Sequence, residues 1–308
     1  MNEEDEYDEN DDSSDRCVIL GGGVLGVELA CAISGWTGLS EICLVFNGDH
    51  IYGDMKLWPE QFKNKLSQEI RKRGVNIKFY ENCTIEKCVP SHDNPIALGS
   101  VLLTNGQEIE CKFLCAAIGA SPVGKDLFNK KSISVSPTQT IITDEHLALK
   151  SSENHNSVWV AGESSRGNCG VEQARESGKY CALAAFNSWS EKEAPPPFQF
   201  APVRYSRLFE FLNNDAVIWY MVGEITPEMK YEFCGQKNEL GTPAEEGNHS
   251  GPFACFYYLP DSDILQACLI CGGNDHKAFI HSFRLQVESG SSKWKDAMQE
   301  FNSKFTSQ

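Results

Sequence analysis

Gly21, Gly23 and Gly26 stand in the spacing Gly-x-Gly-x-x-Gly, with Gly22 inside the first gap and Val24-Leu25 inside the second. This pattern suits one task, holding the diphosphate of a dinucleotide. The first glycine permits a tight turn, and the second lets the backbone come close to the phosphates. The third lets the following helix pack on the strand before it. Free N–H groups at the start of that helix then face the negative charge. An acidic or polar side chain roughly 20 residues further on normally receives the ribose hydroxyls. The run Phe46-Asn47-Gly48-Asp49 falls there, and Asn47 or Asp49 is able to accept that hydrogen bond. No cation adjoins this run to receive a 2′-phosphate, which favours NAD(H) over NADP(H).

The elements that must position these residues are legible on either side. Cys17 to Leu20 is a short apolar run of the kind that forms a buried parallel strand. Val27 to Ile33 reads as a helix, and Ile42 to Phe46 as a second strand. Phe62, Leu66 and Ile70 recur at four-residue spacing behind Pro59, so a helix is predicted up to Arg73, with Gly74 ending it. Asn76 to Tyr80 is strand-like. Val101–Thr104 and Glu108–Cys111, joined through Asn105-Gly106, form a hairpin, and Phe113 to Gly119 is an apolar strand.

Further along, Ser157 to Glu163 reads as a strand and Val171 to Trp189 as an Ala-rich helix. Glu193-Ala-Pro-Pro-Pro-Phe198 is a semi-rigid linker. Strand-like segments follow at 216–222, 253–259 and 264–271, with a polar loop at 236–251 and a polar, helix-prone tail from Ser289. The expected class is therefore α/β: a Rossmann-like NADH-binding domain at 17–120 (βαβ plus an antiparallel meander), a second segment with its linker at 121–197, and a C-terminal α+β domain at 198–308.

Composition narrows the function classes. The 308 residues carry 27 Lys+Arg against 43 Asp+Glu, a net charge of −16, which argues against a nucleic-acid partner. Nine of the acidic side chains fall within the first fifteen residues, with no basic one among them. Residues 1–16 are thus expected to be a disordered, solubilising arm. The arm has neither the apolar run of a secretory signal nor an Arg-rich amphipathic pattern, and no run approaches the roughly 20 apolar residues of a membrane span. The expectation is a cytoplasmic protein with no membrane partner.

The thirteen cysteines are odd in number and scattered through apolar segments, which fits buried reduced thiols. Cys268 and Cys271 sit three apart in a predicted strand, on opposite faces and about 10 Å from each other, too far for a disulfide. The seven histidines show no ligand spacing, so no metal site is expected.

Taken in order, Gly-Gly-Gly-x-x-Gly-x-Glu-x-Ala, the strand ending Ile118-Gly119-Ala120-Ser121-Pro122, and Val158-Trp159-Val160-Ala161-Gly162-Glu163 resemble the FAD/NAD(P)-linked pyridine nucleotide-disulfide oxidoreductase superfamily. Arg204-Tyr205-Ser206-Arg207, followed by the aromatic strand at 217–222 and a glycine, is most similar to the monodehydroascorbate reductases. The resemblance covers about residues 17–287.

It implies that Gly21, Gly22, Gly23 and Gly26 hold the NADH diphosphate and that Glu28 lies near the nicotinamide. It also implies that Gly119, Gly162 and Glu163 belong to the cofactor set, the last two facing a flavin, and that Tyr205 and Arg166 border the acceptor's pocket. Glu163 stands where the superfamily carries Asp. The stretch Arg166 to Arg175 does not reproduce the family's Arg-x-Glu-His. For Tyr205 and Arg207 a packed amphipathic edge is the alternative.

The resemblance further implies that residues 121–197 are the returning part of an FAD domain. The sequence holds one glycine fingerprint, so FAD is expected only with a lobe supplied from elsewhere: either the chain is a truncated product or a partner chain provides it. The function implied is hydride transfer from NADH to FAD, then one-electron transfer to a small organic radical acceptor. The alternative is a non-catalytic NAD(H)-binding protein acting as a sensor or interaction subunit.

Overall fold

The computed structural model describes residues 15–36, 38–119, 134–135, 140–150, 158–166, 170–211, 216–235, 251–272 and 277–305. The predicted acidic arm, apart from Asp15 and Arg16, and most of the predicted polar loop at 236–251 lie outside these residues.

A four-stranded parallel sheet carries the glycine motif. Its central strand β1 (Arg16–Leu20) is flanked by β2 (Glu41–Val45) and β7 (Phe113–Ala116), with β3 (Ile77–Tyr80) beyond β2, giving the order β3-β2-β1-β7. Cys17, Val18 and Ile19 are buried on both faces, as the unbroken apolar run requires. Helix α1 (Val24–Ile33) crosses from β1 to β2, and α2 (Glu60–Arg73) from β2 to β3. In α2, Phe62, Leu66 and Ile70 form the buried stripe. Glu60 in its first turn and Arg71, Lys72 and Arg73 in its last match the helix dipole. The Gly74 N–H bonds the Ile70 carbonyl at 2.8 Å and ends the helix where the sequence places the stop.

The meander is a three-stranded antiparallel sheet, β4 (Ile85–Pro90), β5 (Leu98–Leu103) and β6 (Glu108–Glu110), in that order. Gly106 takes φ +83° in the Asn-Gly turn. Val101, Leu103 and Ile109 pack under Val18, Cys43 and Val45 of the parallel sheet. Strand β4 gives little sequence signal because its residues are mostly exposed and pairing with β5 holds it.

The strand expected at 157–163 shrinks to a single bridge between Trp159 and Ala148. The chain then turns at Gly162 (φ +67°) into the short helix α3 (Glu163–Arg166) and the long α4 (Gly170–Trp189). Likewise β7 stops at Ala116, and Ala117 to Gly119 leave the sheet.

The C-terminal part is a five-stranded antiparallel sheet. Its strands are β8 (Val203–Leu208), β9 (Val217–Val222), β10 (Lys230–Gly235), β11 (Phe253–Tyr258) and β12 (Leu265–Gly272), in the order β10-β11-β12-β9-β8. One face is covered by α5 (Lys277–Ser289) and α6 (Trp294–Phe305), whose Phe283, Ala297 and Phe301 pack on Tyr220, Phe256 and Ile270. The other face lies on α1, α2 and the segment between β2 and α2. There Trp219, Phe253, Leu269 and Cys271 share one cluster with Cys31, Tyr52, Trp58 and Phe62. The Pro-rich segment therefore separates two regions of sequence that are joined through a continuous core.

Cys268 and Cys271 fall on opposite faces of β12, one in each cluster, as the strand register predicts.

Candidate functional site: the glycine turn and its neighbours

The turn after β1 is built by backbone contacts that only glycine permits. Gly21 has φ +125°, and a Cβ there would overlap the Ala117 carbonyl oxygen. A Cβ on Gly26 would overlap the carbonyl oxygen of Gly21, so α1 rests directly on the turn. The Gly21 N–H donates to the Val45 carbonyl at 2.8 Å, and the Ala117 N–H to that of Leu20 at 2.7 Å, so the turn is locked to the carboxyl ends of β2 and β7. Gly23 is the N-cap of α1, with no side chain bonded to the helix's first amides. That leaves those N–H groups and the positive end of the dipole as an anion-binding surface.

Two side chains from beyond β2 define the rest. The Phe46 ring lies against Gly22, 2.7 Å from where a Cβ would stand, and is buried. The Asp54 carboxylate faces Gly23, its Oδ2 3.0 Å from that residue's Cβ position. The segment carrying Asp54 is pinned by the Tyr52 N–H, which donates to the Gly22 carbonyl at 2.7 Å, and by Tyr52 and Trp58, both buried against Trp219. Tyr52 adopts φ +59°, a left-handed conformation held by this packing.

Of the residues singled out in the sequence, Asn47 is exposed just past β2, while the carboxylate of Asp49 accepts from Asn82 Nδ2 at 2.8 Å. Glu28 is half-buried on α1, where burial first and the Glu28 charge second push the Cys31 thiol upward. Gly119, at φ +102°, leaves the end of β7 with open space around its Cβ position.

Gly162 packs on Ala174 of α4 and donates its N–H to the buried Ser177 Oγ at 3.0 Å. Glu163 is exposed at the start of α3. A cavity of about 460 Å³ adjoins this turn, lined by Thr140, Ile142, Asp144, Lys150 and Ser165 among others. Asp144 is fixed there by accepting the His146 and Ala148 N–H groups, each at 2.9 Å. Arg166 closes α3, and its side chain lies outside the described residues.

Tyr205 is 60% exposed on β8, its ring 5.8 Å from that of its register partner Tyr220, and the neighbouring Arg207 pairs with Glu210 at 2.9 Å. Neither Asp54 nor the ring of Phe46 stands out in the sequence as part of the turn. The signal for them lies in the buried aromatics around Asp54 and in the last position of the apolar run at 42–46.

Among the described residues no group of three or more His, Cys, Asp or Glu side chains is placed to hold a metal ion, and no helix is long and apolar enough to cross a membrane.

A parallel sheet that ends in a glycine turn under a helix N-terminus defines a dinucleotide-binding α/β fold, here joined to an antiparallel C-terminal sheet. Residues 2–179 match the family described as pyridine nucleotide-disulphide oxidoreductase, and the chain belongs to that family. It is 22% identical over 280 residues to monodehydroascorbate reductase 5, chloroplastic, of Oryza sativa subsp. japonica, covering 86% of this chain and 50% of that one. It is 24% identical over 278 residues to apoptosis-inducing factor 1, mitochondrial, of Dictyostelium discoideum, covering 87% and 48%.

The chain thus spans about half the length of the curated relatives it matches. Among solved structures, the ferredoxin reductase for the CYP199A2 system from Rhodopseudomonas palustris superposes with TM-score 0.65 at 15% identity, covering 92% of this chain and 62% of that one. A NAD-dependent persulfide reductase from A. fulgidus gives 0.63 at 15% identity, covering 90% and 49%. These two share the fold.

Proposed function

We propose that this protein is an NADH-dependent flavoprotein oxidoreductase of the monodehydroascorbate reductase type. In this reading it passes the electrons of one NADH to two molecules of a small organic radical acceptor. The observation that carries the proposal is the contact of Gly26 with the Gly21 carbonyl, which sets the N-terminus of α1 directly over the turn after β1. That is the arrangement a dinucleotide diphosphate needs, and the residues present fit it. The amides from Gly22 to Leu25 would hold the diphosphate, and Glu28 would stand towards the nicotinamide end.

For a flavin, the described residues fit one edge: the Gly162 turn and the exposed Glu163 beside an open cavity. The remainder of the flavin site would be supplied either by a longer form of this chain or by a partner chain. If FAD were bound, it would supply hydride acceptance and one-electron release. This chain's share is to orient the nicotinamide through the turn and to present Tyr205, and Arg166 at the end of α3, to the acceptor. The low-identity similarity to monodehydroascorbate reductases supports that choice of acceptor.

The experiment is a titration of NADH fluorescence with the purified chain, followed by addition of FAD, NADH and an ascorbate radical source. Saturable NADH binding that Gly23→Leu abolishes is expected of the chain alone, and NADH-dependent decay of the radical once FAD and the rest of the flavin site are supplied together. Absence of dinucleotide binding would overturn the reading. Binding without any flavin uptake once the rest of the flavin site is supplied would leave the sensor or interaction-subunit alternative.

A further inference from the structure

Helix α4 (Gly170–Trp189) carries its polar and apolar sides in reverse. The side pressed on the protein holds by hydrogen bonds. Ser177 Oγ accepts the Gly162 N–H at 3.0 Å, the Tyr180 hydroxyl donates to the Pro196 carbonyl at 2.8 Å, and Asn187 Nδ2 donates to the Glu193 carbonyl at 2.8 Å. Gln173, Ser177 and Ala184 are the residues buried there. The opposite side carries Val171, Arg175, Gly178, Ala182, Phe186 and Trp189, at the three- and four-residue spacing of one helical stripe. Val171 and Trp189 are 75% and 83% exposed, and Phe186 and the flanking Leu183 about half. A helix on a soluble domain normally buries such side chains and shows its polar ones to water.

The stripe reads alike from either end. Val171 and Trp189 lie nine residues before and after Tyr180, and Gly178 and Ala182 two. Large side chains therefore stand at both ends and small ones in the middle. A Cβ on Gly178 would meet nothing within 4 Å, so no contact inside the chain demands a glycine in mid-helix, where it costs stability. All four charges of the helix, Glu172, Arg175, Glu176 and Lys179, fall in its first half, and residues 180–189 carry none.

We infer that α4 is a self-association surface, on which a second copy of this chain lays its own α4 antiparallel, across a two-fold axis at the level of Tyr180. Such a contact is isologous, with Trp189 of each copy covering Val171 of the other. Gly178 and Ala182 let the two backbones approach. The charged half of each helix meets the uncharged aromatic half of the other, where the Arg175 guanidinium finds the Phe186 ring. Parallel pairing would instead set Arg175 on Arg175 and Lys179 on Lys179. The 20 residues of α4 span about 30 Å, and one helix face of that length falls short of the roughly 800 Å² per partner of a standard interface. The dimer is therefore a weak one, with a dissociation constant of about 10–100 μM.

The test is sedimentation velocity of the full chain from about 1 to 300 μM, in low salt and in about 0.5 M NaCl. A monomer–dimer equilibrium is expected. It should hold or tighten in salt, because the contact is apolar and each copy carries a net charge of −16. Trp189→Glu and Gly178→Lys should each weaken it at least about tenfold. Both positions are open to solvent in the monomer, so the variants should fold, and urea midpoints check that they do. Ile96→Glu adds the same charge at an exposed apolar residue just ahead of β5 and should leave the dimer unchanged. A chain that stays monomeric throughout overturns the inference and leaves the face to another occupant, such as the lobe that completes the flavin site. So does a dimer that salt dissolves, or one that Trp189→Glu and Gly178→Lys leave intact. None of these outcomes depends on NADH binding, so the inference stands or falls apart from the proposed function.

Discussion

Trp58, just ahead of α2, and Trp219, on β9 of the C-terminal sheet, pack edge to face with ring centroids 4.9 Å apart. Tyr52 closes the group, 5.5 Å from Trp58 and 6.2 Å from Trp219, with the indole N–H of Trp219 directed at its hydroxyl. The segment that places Asp54 at the glycine turn is thereby braced by a sheet more than 150 residues away in sequence.

Trp219→Ala should remove a buried indole from the middle of this brace. The expected loss is about 3–5 kcal/mol, with weaker NADH binding because the 50–58 segment loosens. Urea unfolding measures the first and NADH titration the second. A double-mutant cycle with Trp58→Ala should give a coupling of about 0.5–1.5 kcal/mol.

Gly26→Ala places a methyl against the Gly21 carbonyl, which is backbone and has no rotamer by which to yield. The expected cost is about 1–3 kcal/mol. It would appear as a lower melting temperature by circular dichroism and as lost dinucleotide binding, since α1 must lift off the turn. An alanine that leaves both untouched would show that the helix does not rest on the turn.

Alkaline pH should unfold the protein through its buried thiols. Burial raises Cys17, Cys111 and Cys234 from an ordinary 9.0 to about 11, and Cys43 to about 12. A group whose folded pKa lies higher keeps its proton in the folded state while the unfolded chain has already lost it. The stability it confers is whole below pH 9 and drains away between pH 9 and 11. Each such thiol costs about 1.4 kcal/mol per pH unit in that window. Urea midpoints should therefore stay level up to about pH 9 and fall steeply from pH 9 to about pH 11, and Cys111→Ala or Cys17→Ala should each make the fall shallower.

The same burial governs reactivity. Cys88 is exposed, whereas Cys31, Cys255, Cys268 and Cys271 are sealed in the core with their thiols held protonated. Under native conditions near pH 8, iodoacetamide should label Cys88 quickly and leave those four unmodified until urea is added, as read by peptide mass spectrometry. Rapid labelling of Cys268 or Cys271 would reopen a redox role for that pair.

What the sequence determined by itself is what short-range rules encode. The glycine spacing, the apolar run before it, the Asn-Gly hairpin and the four-residue stripe of α2 depend on backbone sterics and on burial periods that neighbouring residues share. The opposite facing of Cys268 and Cys271 follows from the two-residue period of a strand. Strands β4 and β10 escaped because pairing, not their own apolar content, holds them. The segment at 157–163 read as a strand from its apolar run but finds only one bridge. Tertiary structure alone decided which side chain beyond β2 reaches the turn. Spacing along the chain points to the run 46–49, where the ring of Phe46 fills the place against Gly22, and the aromatic brace from the C-terminal sheet carries Asp54 to Gly23. Sequence distance cannot show that approach, because it depends on packing between segments far apart in the chain.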